Sequence, residues 1–230
     1  MKVIFDNVTK SFGIINAVKN INLQIDTGEF VFLVGPSGAG KSTILKLILN
    51  QIKPSSGEII IDKLHLNQLD KNKLNKTRQQ IGVIFQDYLL IPDKTVEENI
   101  SLALEINDVP RYLIPEKIET VLKQVNLNSR RHLFPSQLSG GELQRTSLAR
   151  ALVIEPKIIL ADEPTGNLDP ENSWNLIRLI KEINEKFNTT IIMTSHNYDI
   201  VKSLNNRIVT IQNGEIISDS KLPNLHLKKK

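Results

Sequence analysis

The sequence is organised around one stretch, Gly35-Pro36-Ser37-Gly38-Ala39-Gly40-Lys41-Ser42-Thr43. The apolar run at 30–34 before it predicts a buried strand, and the apolar run at 44–49 after it predicts a helix. The pattern G-x-x-x-x-G-K-[ST] between a strand and a helix is typical of a phosphate-binding loop. Its glycines let backbone N–H groups turn toward phosphate oxygens, and the helix N-terminus adds the positive end of its dipole.

Two side chains of this loop have expected roles in nucleotide binding. Lys41 is expected to reach the β- and γ-phosphates, and the Ser42 hydroxyl is expected to hold Mg²⁺. The alternative is a Gly-rich strand-to-helix turn that binds nothing. The complete motif in its context favours binding of a nucleoside triphosphate by residues 35–43.

The composition is that of a globular chain of 230 residues, of which 40% are hydrophobic. It suits one compact domain with an inserted subdomain. No apolar run approaches the roughly 18 residues of a membrane span, the first residues lack the apolar core of a secretion signal, and the sequence has no cysteine. We therefore expect a cytoplasmic protein. The net charge of +4 allows an anionic partner such as nucleic acid or a membrane surface, and an ordinary solvated surface is the alternative.

Two carboxylates follow another apolar run. Residues 157–161 predict a buried strand, and Asp162 and Glu163 stand directly after it. Phosphoryl transfer needs a carboxylate for the metal and a group that orients the attacking water. We assign Asp162 to the Mg²⁺ shell and Glu163 to orienting or deprotonating the water. A polar loop without chemistry is the alternative, which the nearby phosphate-binding motif disfavours.

The order of the predicted elements indicates an α/β fold. Strands at 3–9 and 19–25 precede the phosphate-binding loop, and a helical block at 87–156 interrupts the strands and helices that alternate elsewhere. We predict a P-loop NTPase core with an N-terminal antiparallel β portion and an inserted helical subdomain. The expected divisions are a nucleotide-binding core at 1–86 and 157–220, a helical subdomain at 87–156, and a basic tail at 221–230.

The part of the chain after the two carboxylates predicts one long helix and more sheet. The helix begins at Pro170, and helical spacing predicts one apolar face that carries Trp174, Ile177, Ile180, Ile183 and Phe187. Residues 190–194 predict a further strand. The two apolar runs on either side of Asn213-Gly214 predict a hairpin.

Several polar residues suit a helix end or a turn as well as a ligand site. Ser139 and Glu142 form a capping-box pattern that opens a helix through about Ile154. Two adjacent glycines at a helix start also make an anion site. Asp169 suits an N-cap before Pro170. His196, just past a predicted strand, suits a surface turn.

Taken together, these motifs resemble the nucleotide-binding domain of the ABC ATPase family over nearly the whole chain. The resemblance rests on the phosphate-binding loop, Gln86, Leu138-Ser139-Gly140-Gly141-Glu142-Leu143-Gln144-Arg145, Asp162-Glu163, Asn167-Leu168-Asp169 and His196. The stretch at 138–145, which we call the signature stretch, is far more specific than a phosphate-binding loop. The family implies a homodimer in the ATP-bound state, in which each phosphate tail lies between one subunit's loop and the other's signature stretch.

The resemblance implies a role for each matching position. Phe12 would stack on adenine, where the family usually has Tyr. Gln86 would join the Mg²⁺ shell and couple the site to a partner, and His196 would hold the γ-phosphate. The residues implied to act across the dimer interface are Ser139, Gly140, Gly141 and Asp169.

Within the family, the chain looks most like the cell-division ATP-binding proteins. The segments that carry this likeness are 28–36, 86–100, 167–174 and 195–197. The likeness implies an integral membrane partner of the FtsX type that docks near Gln86 to Asn99. It also implies a peripheral place on the cytoplasmic face of the membrane at the division site, where ATP-driven motion regulates cell-wall hydrolases. Gln79 and Glu97 depart from the subfamily pattern near the expected docking surface.

Two other functions stay open. One is the ATPase subunit of a transporter that exports lipoproteins or small molecules, because those subfamilies share a similar loop after Gln86. The more distant one is a soluble ABC ATPase that acts on nucleic acid or ribosomes, which the mild basic charge allows. Such proteins usually carry two cassettes or large insertions, and the sequence has no evident aromatic and basic stripe. We therefore expect no nucleic-acid partner.

Overall fold

The computed structural model describes residues 1–196 and 198–221. The strands are β1 (Val3–Phe12), β2 (Ile15–Ile25), β3 (Phe30–Val34), β4 (Ser56–Ile61), β5 (Leu64–His65), β6 (Ile81–Ile84), β7 (Ile158–Asp162), β8 (Thr190–Ser195), β9 (Arg207–Gln212) and β10 (Glu215–Asp219). The α-helices are α1 (Lys41–Ile48), α2 (Lys71–Arg78), α3 (Val96–Ile106), α4 (Ile114–Gln124), α5 (Gly140–Leu152), α6 (Pro170–Phe187) and α7 (Tyr198–Ser203).

The strands form two sheets. The first has the order β2-β1-β4-β5, and its neighbouring strands are antiparallel. The second has the order β10-β9-β3-β8-β7-β6, and it is parallel from β9 to β6 with β10 antiparallel at one edge. Because parallel strands end at the same edge of a sheet, the residues that follow β3, β7 and β8 lie side by side.

Both faces of the parallel sheet are buried, as its nearly continuous apolar strands predict. Side chains on β3 alternate between two cores: Phe32 lies in a core with the helices α3 to α6, and Leu33 lies in a core with α1 and the antiparallel sheet. The helices α3, α4 and α5 stand between β6 and β7 along the chain. The predicted α/β class, with an inserted helical part and an N-terminal antiparallel portion, is therefore confirmed.

The elements differ from the sequence predictions in a few places. Helix α2 was not predicted, because its first residues, Lys71-Asn72-Lys73, are polar and carry no apolar period; the side chain of Asp70 caps it by accepting from the Lys73 N–H. Helix α5 ends at Leu152 rather than near Ile154. On α6, Trp174 and Phe187 are exposed although spacing placed them on the apolar face.

Some predicted features lie outside the described residues. Lys221 is described, and its Nζ lies 2.6 Å from Asp26 Oδ2 and 3.3 Å from Glu29 Oε1. The rest of the predicted basic tail, 222–230, is outside, as is Asn197 from the cell-division resemblance. Across residues 1–196 and 198–221, no helix combines the length and the apolar character needed to cross a membrane.

Truncation of a side chain that lies between two layers tests the assigned core. Ile159 on β7 is fully buried, so Ile159→Ala should lower the free energy of unfolding by about 2–5 kcal/mol, because it leaves a cavity. The matched control is Ile14→Ala in the fully exposed β1–β2 turn, which should change it by less than about 0.5 kcal/mol. Urea unfolding measures both, and equal losses would contradict the assigned core.

Candidate active site

The loop between β3 and α1 is shaped by close backbone packing. A Cβ atom at Gly35 would collide with the carbonyl oxygen of Ile211 on β9, and one at Gly40 would collide with that of Ala17 on β2. Gly40 also has a left-handed φ of 105° and stands directly before the first helical residue, Lys41. Glycine is therefore required at both positions, and the loop is held by the β1–β2 hairpin and by β9.

Lys41 brings a buried positive charge to the loop. Its side chain is only 5% exposed, and its Nζ donates to the carbonyl oxygens of Gly35 at 2.9 Å and Pro36 at 3.1 Å. The same ammonium lies 3.3 Å from Glu163 Oε1. The other loop residues, Ser37, Gly38, Ala39, Ser42 and Thr43, complete the turn and the start of α1. The loop thus presents a fixed cation beside a helix N-terminus, an arrangement that favours phosphate.

A threonine on β8 holds the carboxylate of Asp162 and the backbone of Glu163. The Thr194 hydroxyl donates to Asp162 Oδ1 at 2.8 Å, and Ser42 Oγ donates to the same oxygen at 2.9 Å. The Glu163 N–H donates to Thr194 Oγ1 at 2.8 Å. Glu163 has a left-handed φ of 47°, which is uncommon for a residue with a side chain and typical of functional sites.

Glu163 lies between two cationic or potentially cationic groups. One carboxylate oxygen faces Lys41, and the other is 2.8 Å from His196 Nδ1. The Glu163 side chain is largely buried, whereas His196 is mostly exposed. The structure therefore brings together the P-loop lysine, both carboxylates and the histidine that the sequence singled out.

The segment that follows β6 is fixed from two sides. The side-chain amide of Asn167 donates to the Gln86 carbonyl oxygen at 3.1 Å. Tyr88 and Leu89 both have left-handed φ values, 59° and 47°, and Arg150 on α5 donates to both of their carbonyl oxygens, at 2.8 and 2.6 Å. Burial lowers the pKa of Arg150. The Gln86 loop is thereby attached to the helix that the signature stretch begins.

At the start of α5, the predicted capping box is present. The Ser139 N–H and hydroxyl both donate to Glu142 Oε2 at 2.8 Å, and the Glu142 N–H points back at Ser139 Oγ. Arg130 Nε donates to Glu142 Oε1 at 2.7 Å. The Arg130 guanidinium, followed by the two Ser139 donors, lowers the pKa of Glu142 to about 2.

Asp169 lies beside the signature stretch. It caps α6, because its Oδ1 accepts from the Asn172 N–H at 2.9 Å, and this bond lowers the pKa of Asp169. A Cβ atom at Gly141 would come within 2.8 Å of the Asn172 side-chain oxygen, so Gly141 packs directly against that residue. Gly140 is next to it at the first position of α5. We call Ser139, Gly140, Gly141 and Asp169 the signature cluster.

The signature cluster and the P-loop are separate within one chain. In the described part of the chain, no hydrogen bond or ion pair joins any member of the cluster to residues 35–43 or to Glu163. Phe12 is also away from the cluster: it is half exposed at the end of β1, with the Lys10 ammonium 5.0 Å from the centre of its ring. Within one chain, the signature cluster and the P-loop are therefore not in direct polar contact.

The oxygen atoms near the P-loop suit a magnesium ion. No group of three or more His, Cys, Asp or Glu side chains that would form an all-protein metal cage occurs among residues 1–196 and 198–221. Mg²⁺ is usually held by one or two protein oxygens together with substrate phosphates. Ser42 and Asp162 supply a hydroxyl and a carboxylate that are hydrogen-bonded to each other. Gln86 is exposed after β6, and its amide oxygen stays a predicted ligand.

Comparison with known proteins places this arrangement in a family. The sequence profile of the ABC transporter family matches residues 18–166, which include the P-loop, Gln86, the signature stretch and both carboxylates. This chain belongs to the ABC transporter family. The membership predicted from the motifs is therefore confirmed.

Relatives of this ABC ATPase include proteins of two functions. The cell division ATP-binding protein FtsE of Bacillus subtilis is 43% identical over 205 residues, which cover 89% of this chain and 90% of the relative. The methionine import ATP-binding protein MetN 2 of Paraburkholderia xenovorans is 39% identical over 220 residues, which cover 94% of this chain and 57% of the relative. The predicted likeness to the cell-division proteins is confirmed.

Solved structures agree with the fold and the enzyme class. The dimeric structure of MJ0796, a bacterial ABC transporter cassette, has a TM-score of 0.86 and 38% identity, and it covers 96% of this chain and 99% of the solved one. The same cassette is known as a post-hydrolysis dimer bound to ADP and Pi, with the same TM-score and identity. This chain is an ATP hydrolase, as the motifs predicted.

The sequence analysis missed three residues that hold the site together. Thr194 was assigned only to a strand, although a polar residue at the end of an apolar run is a usable signal. In the sequence, Asn167 stands out only as part of the motif Asn167-Leu168-Asp169. Arg150 had no local signal, because its contacts are to carbonyl groups more than 60 residues earlier in the chain.

Replacement of Thr194 tests the support of the Asp162 carboxylate and the Glu163 backbone. Thr194→Val keeps the shape but removes a donor from Asp162 and the acceptor of the Glu163 N–H in a fully buried position. We expect a loss of about 1–3 kcal/mol in unfolding free energy, together with reduced ATP hydrolysis. Thr194→Ser keeps the hydroxyl and should therefore retain both the stability and the ATP hydrolysis of the wild type. Urea unfolding and a phosphate-release assay measure the effects.

The matched control is Thr210→Val on β9. The hydroxyl of Thr210 accepts from Ser218 at the surface, so its loss should change the unfolding free energy by less than about 0.5 kcal/mol. Wild-type stability and turnover in Thr194→Val would contradict the assigned support.

Proposed function

We propose that this chain is the ATP-hydrolysing subunit of a cell-division complex, which closes as a homodimer around ATP and moves an integral membrane partner of the FtsX type. The observation that carries the dimer is the separation of the P-loop from the signature cluster within one chain. Two copies placed head to tail would join each P-loop to the other copy's cluster. The likeness to FtsE and to the dimeric cassette MJ0796 supports this proposal.

Each copy would bind the nucleotide at several points. Residues 35–43 would surround the phosphates with backbone N–H groups, and Lys41 would carry the main positive charge. The exposed ring of Phe12 would stack on adenine. The other copy would add Ser139, Gly140 and Gly141 at the γ-phosphate, and its Asp169 would cross the interface.

Glu163 would activate the attacking water, and His196 would bind the γ-phosphate. A γ-phosphate beside Lys41 would compete with Glu163 Oε1 for the ammonium, which would leave that oxygen to orient and deprotonate the attacking water. His196, on the other carboxylate oxygen, would donate to the γ-phosphate. Mg²⁺, when held by Ser42, Asp162 and Gln86, would neutralise charge on the phosphate oxygens.

The first test removes the proposed base. Glu163→Gln keeps the side-chain shape but cannot accept the proton from water, so we expect hydrolysis to fall at least about 100-fold. Because the P-loop remains, ATP with Mg²⁺ should convert the variant to a stable dimer in sedimentation experiments. Glu215→Gln, an exposed carboxylate on β10, is the matched control and should keep wild-type turnover. Wild-type turnover in Glu163→Gln would remove Glu163 from this role.

A groove beside the Gln86 loop is the proposed docking site for the membrane partner. Its volume is about 690 Å³, and it is lined by apolar side chains of the loop and of α3, including Phe85, Leu89, Leu102 and Ile106. Leu89 and Ile106 are more than half exposed, and Arg150 from α5 reaches the same groove. We propose that a short amphipathic cytoplasmic segment of the partner fills this groove. The groove continues the docking region expected from Gln86 to Asn99.

A charge placed in the groove tests this docking site. Ile106→Glu should abolish co-purification of a membrane protein with the Glu163→Gln variant in ATP and Mg²⁺, because a carboxylate would have to be buried in an apolar contact. Phe187→Glu changes an exposed aromatic residue at the end of α6 and is the control that should leave capture intact. Capture by Ile106→Glu at the control level would reject the groove.

The captured protein also separates the two candidate functions. The second candidate, the ATPase subunit of a transporter, is supported by the likeness to MetN. A partner of the FtsX type has a large extracellular loop between its first spans, whereas a transporter would supply a multi-span permease. Capture of the first would support cell division, and capture of the second would support transport.

The domain division and the location of the chain are also part of the proposed function. We propose a nucleotide-binding core at 1–86 and 157–220 and a helical subdomain at 87–156. We propose a peripheral place on the cytoplasmic face of the membrane at the division site, where the complex regulates cell-wall hydrolases. A nucleic-acid partner is not part of the proposal, and salt-dependent binding to DNA or RNA would contradict that view.

A further inference from the structure

The start of α5 holds a negative charge where the proposed function needs an anion site. Glu142 is in the first turn of the helix, and one of its oxygens lies 2.8 Å from both the N–H and the hydroxyl of Ser139. Its side chain is 16% exposed, and that of its ion-pair partner Arg130 is 45% exposed, so the charge lies near the surface of the helix start. In the proposed dimer, the γ-phosphate of the other copy's ATP would approach the same serine. Both the Glu142 carboxylate and the γ-phosphate are negatively charged, so they would repel each other when both lie beside Ser139.

Protonation does not remove the charge of Glu142. Its pKa is lowered to about 2, so the carboxylate stays ionised at every pH at which the enzyme works. The negative charge of Glu142 must therefore be balanced by a nearby cation. Arg145 has its guanidinium near Gly141, but within residues 1–196 and 198–221 the ion pair of Glu142 is with Arg130.

Arg130 is well placed to act on Glu142 from outside the signature stretch. It ends the short 3₁₀ turn Asn128–Arg130, and its Nε donates to Glu142 Oε1 at 2.7 Å. The two carboxylate oxygens are thus divided: Oε1 faces the guanidinium, and Oε2 faces Ser139. The arginine fixes the orientation of the carboxylate that in turn holds the Ser139 hydroxyl.

We propose that Arg130 is a positioning residue for the ATP-bound dimer, which neutralises Glu142 and orients it against Ser139. The inference rests on the proposed ATP sandwich. Arg130 itself touches neither ATP nor water in this proposal. Without it, the carboxylate of Glu142 would lack its cationic partner and would repel the incoming γ-phosphate.

The test measures ATP-driven dimerisation in Glu163→Gln protein, in which the dimer is trapped. Adding Arg130→Gln should weaken dimerisation on the order of 10-fold, and Arg130→Lys should restore most of the loss because it keeps the charge. The decisive variant adds Glu142→Gln to Arg130→Gln. Since the amide carries no charge, dimerisation should return to the level of Glu142→Gln alone in the same background.

Two further readouts separate this role from ordinary stabilisation. The defect of Arg130→Gln should shrink as salt is raised, because screening weakens the repulsion. Lys123→Gln, which breaks the exposed Lys123–Glu119 pair on α4, loses the same charge and should leave dimerisation unchanged. Urea unfolding of each variant checks that the fold is retained.

Each outcome decides between the inference and the function on which it rests. If Glu163→Gln protein fails to dimerise with ATP, the result contradicts both the proposed function and the inference that rests on it. If that protein dimerises but Arg130→Gln has no effect, or its defect persists when Glu142 is also replaced, only the role of Arg130 is overturned. Rescue by Glu142→Gln, together with the salt dependence, supports it.

Discussion

The parallel pairing of β3, β7 and β8 is the constraint on which the rest of the site depends. In this register Val34 lies opposite Ser195, and Asp162 lies opposite Thr194. The P-loop, Glu163 and His196 each follow directly after one of these strands, so the register alone sets their spacing. A slip of one residue would turn every side chain of a strand to the other face. Because both faces of the sheet are buried, such a slip would also disrupt both cores.

Within that frame, the buried charge of Lys41 organises the electrostatics of the P-loop. A lysine that is 5% exposed must be compensated, and two loop carbonyls together with Glu163 do so. These partners bind the ammonium through single contacts, so a phosphate with its larger charge can compete for it. The left-handed backbone of Glu163 keeps that carboxylate at the end of the lysine rather than in solvent.

The fold class was predictable from the sequence, and the candidate site residues could be named from it, because both leave local patterns. Motifs such as 35–43 and capping boxes such as Ser139 with Glu142 involve residues a few positions apart, and β-strands buried on both faces read as apolar runs. Helix α2 lacked an apolar period. Trp174 and Phe187 follow helical spacing, but Trp174 is exposed between the buried Ser173 and Leu176, and Phe187 is the exposed last residue of α6. Thr194 and Arg130 act across 12 to 32 residues of sequence, and such contacts depend on tertiary structure that no local pattern contains.

Helix α5 links the two surfaces at which this ATPase would meet other molecules. Its first two residues are Gly140 and Gly141. In its last turn, Arg150 donates to the carbonyl groups of Tyr88 and Leu89 beside the groove. A helix of 13 residues spans about 20 Å and bends little over that length. A shift at its N-terminus must therefore be carried to the Gln86 loop or break the Arg150 bonds. In the proposed dimer, the same helix would complete the nucleotide site and set the position of the groove, so ATP binding would have a direct mechanical route to a docked partner.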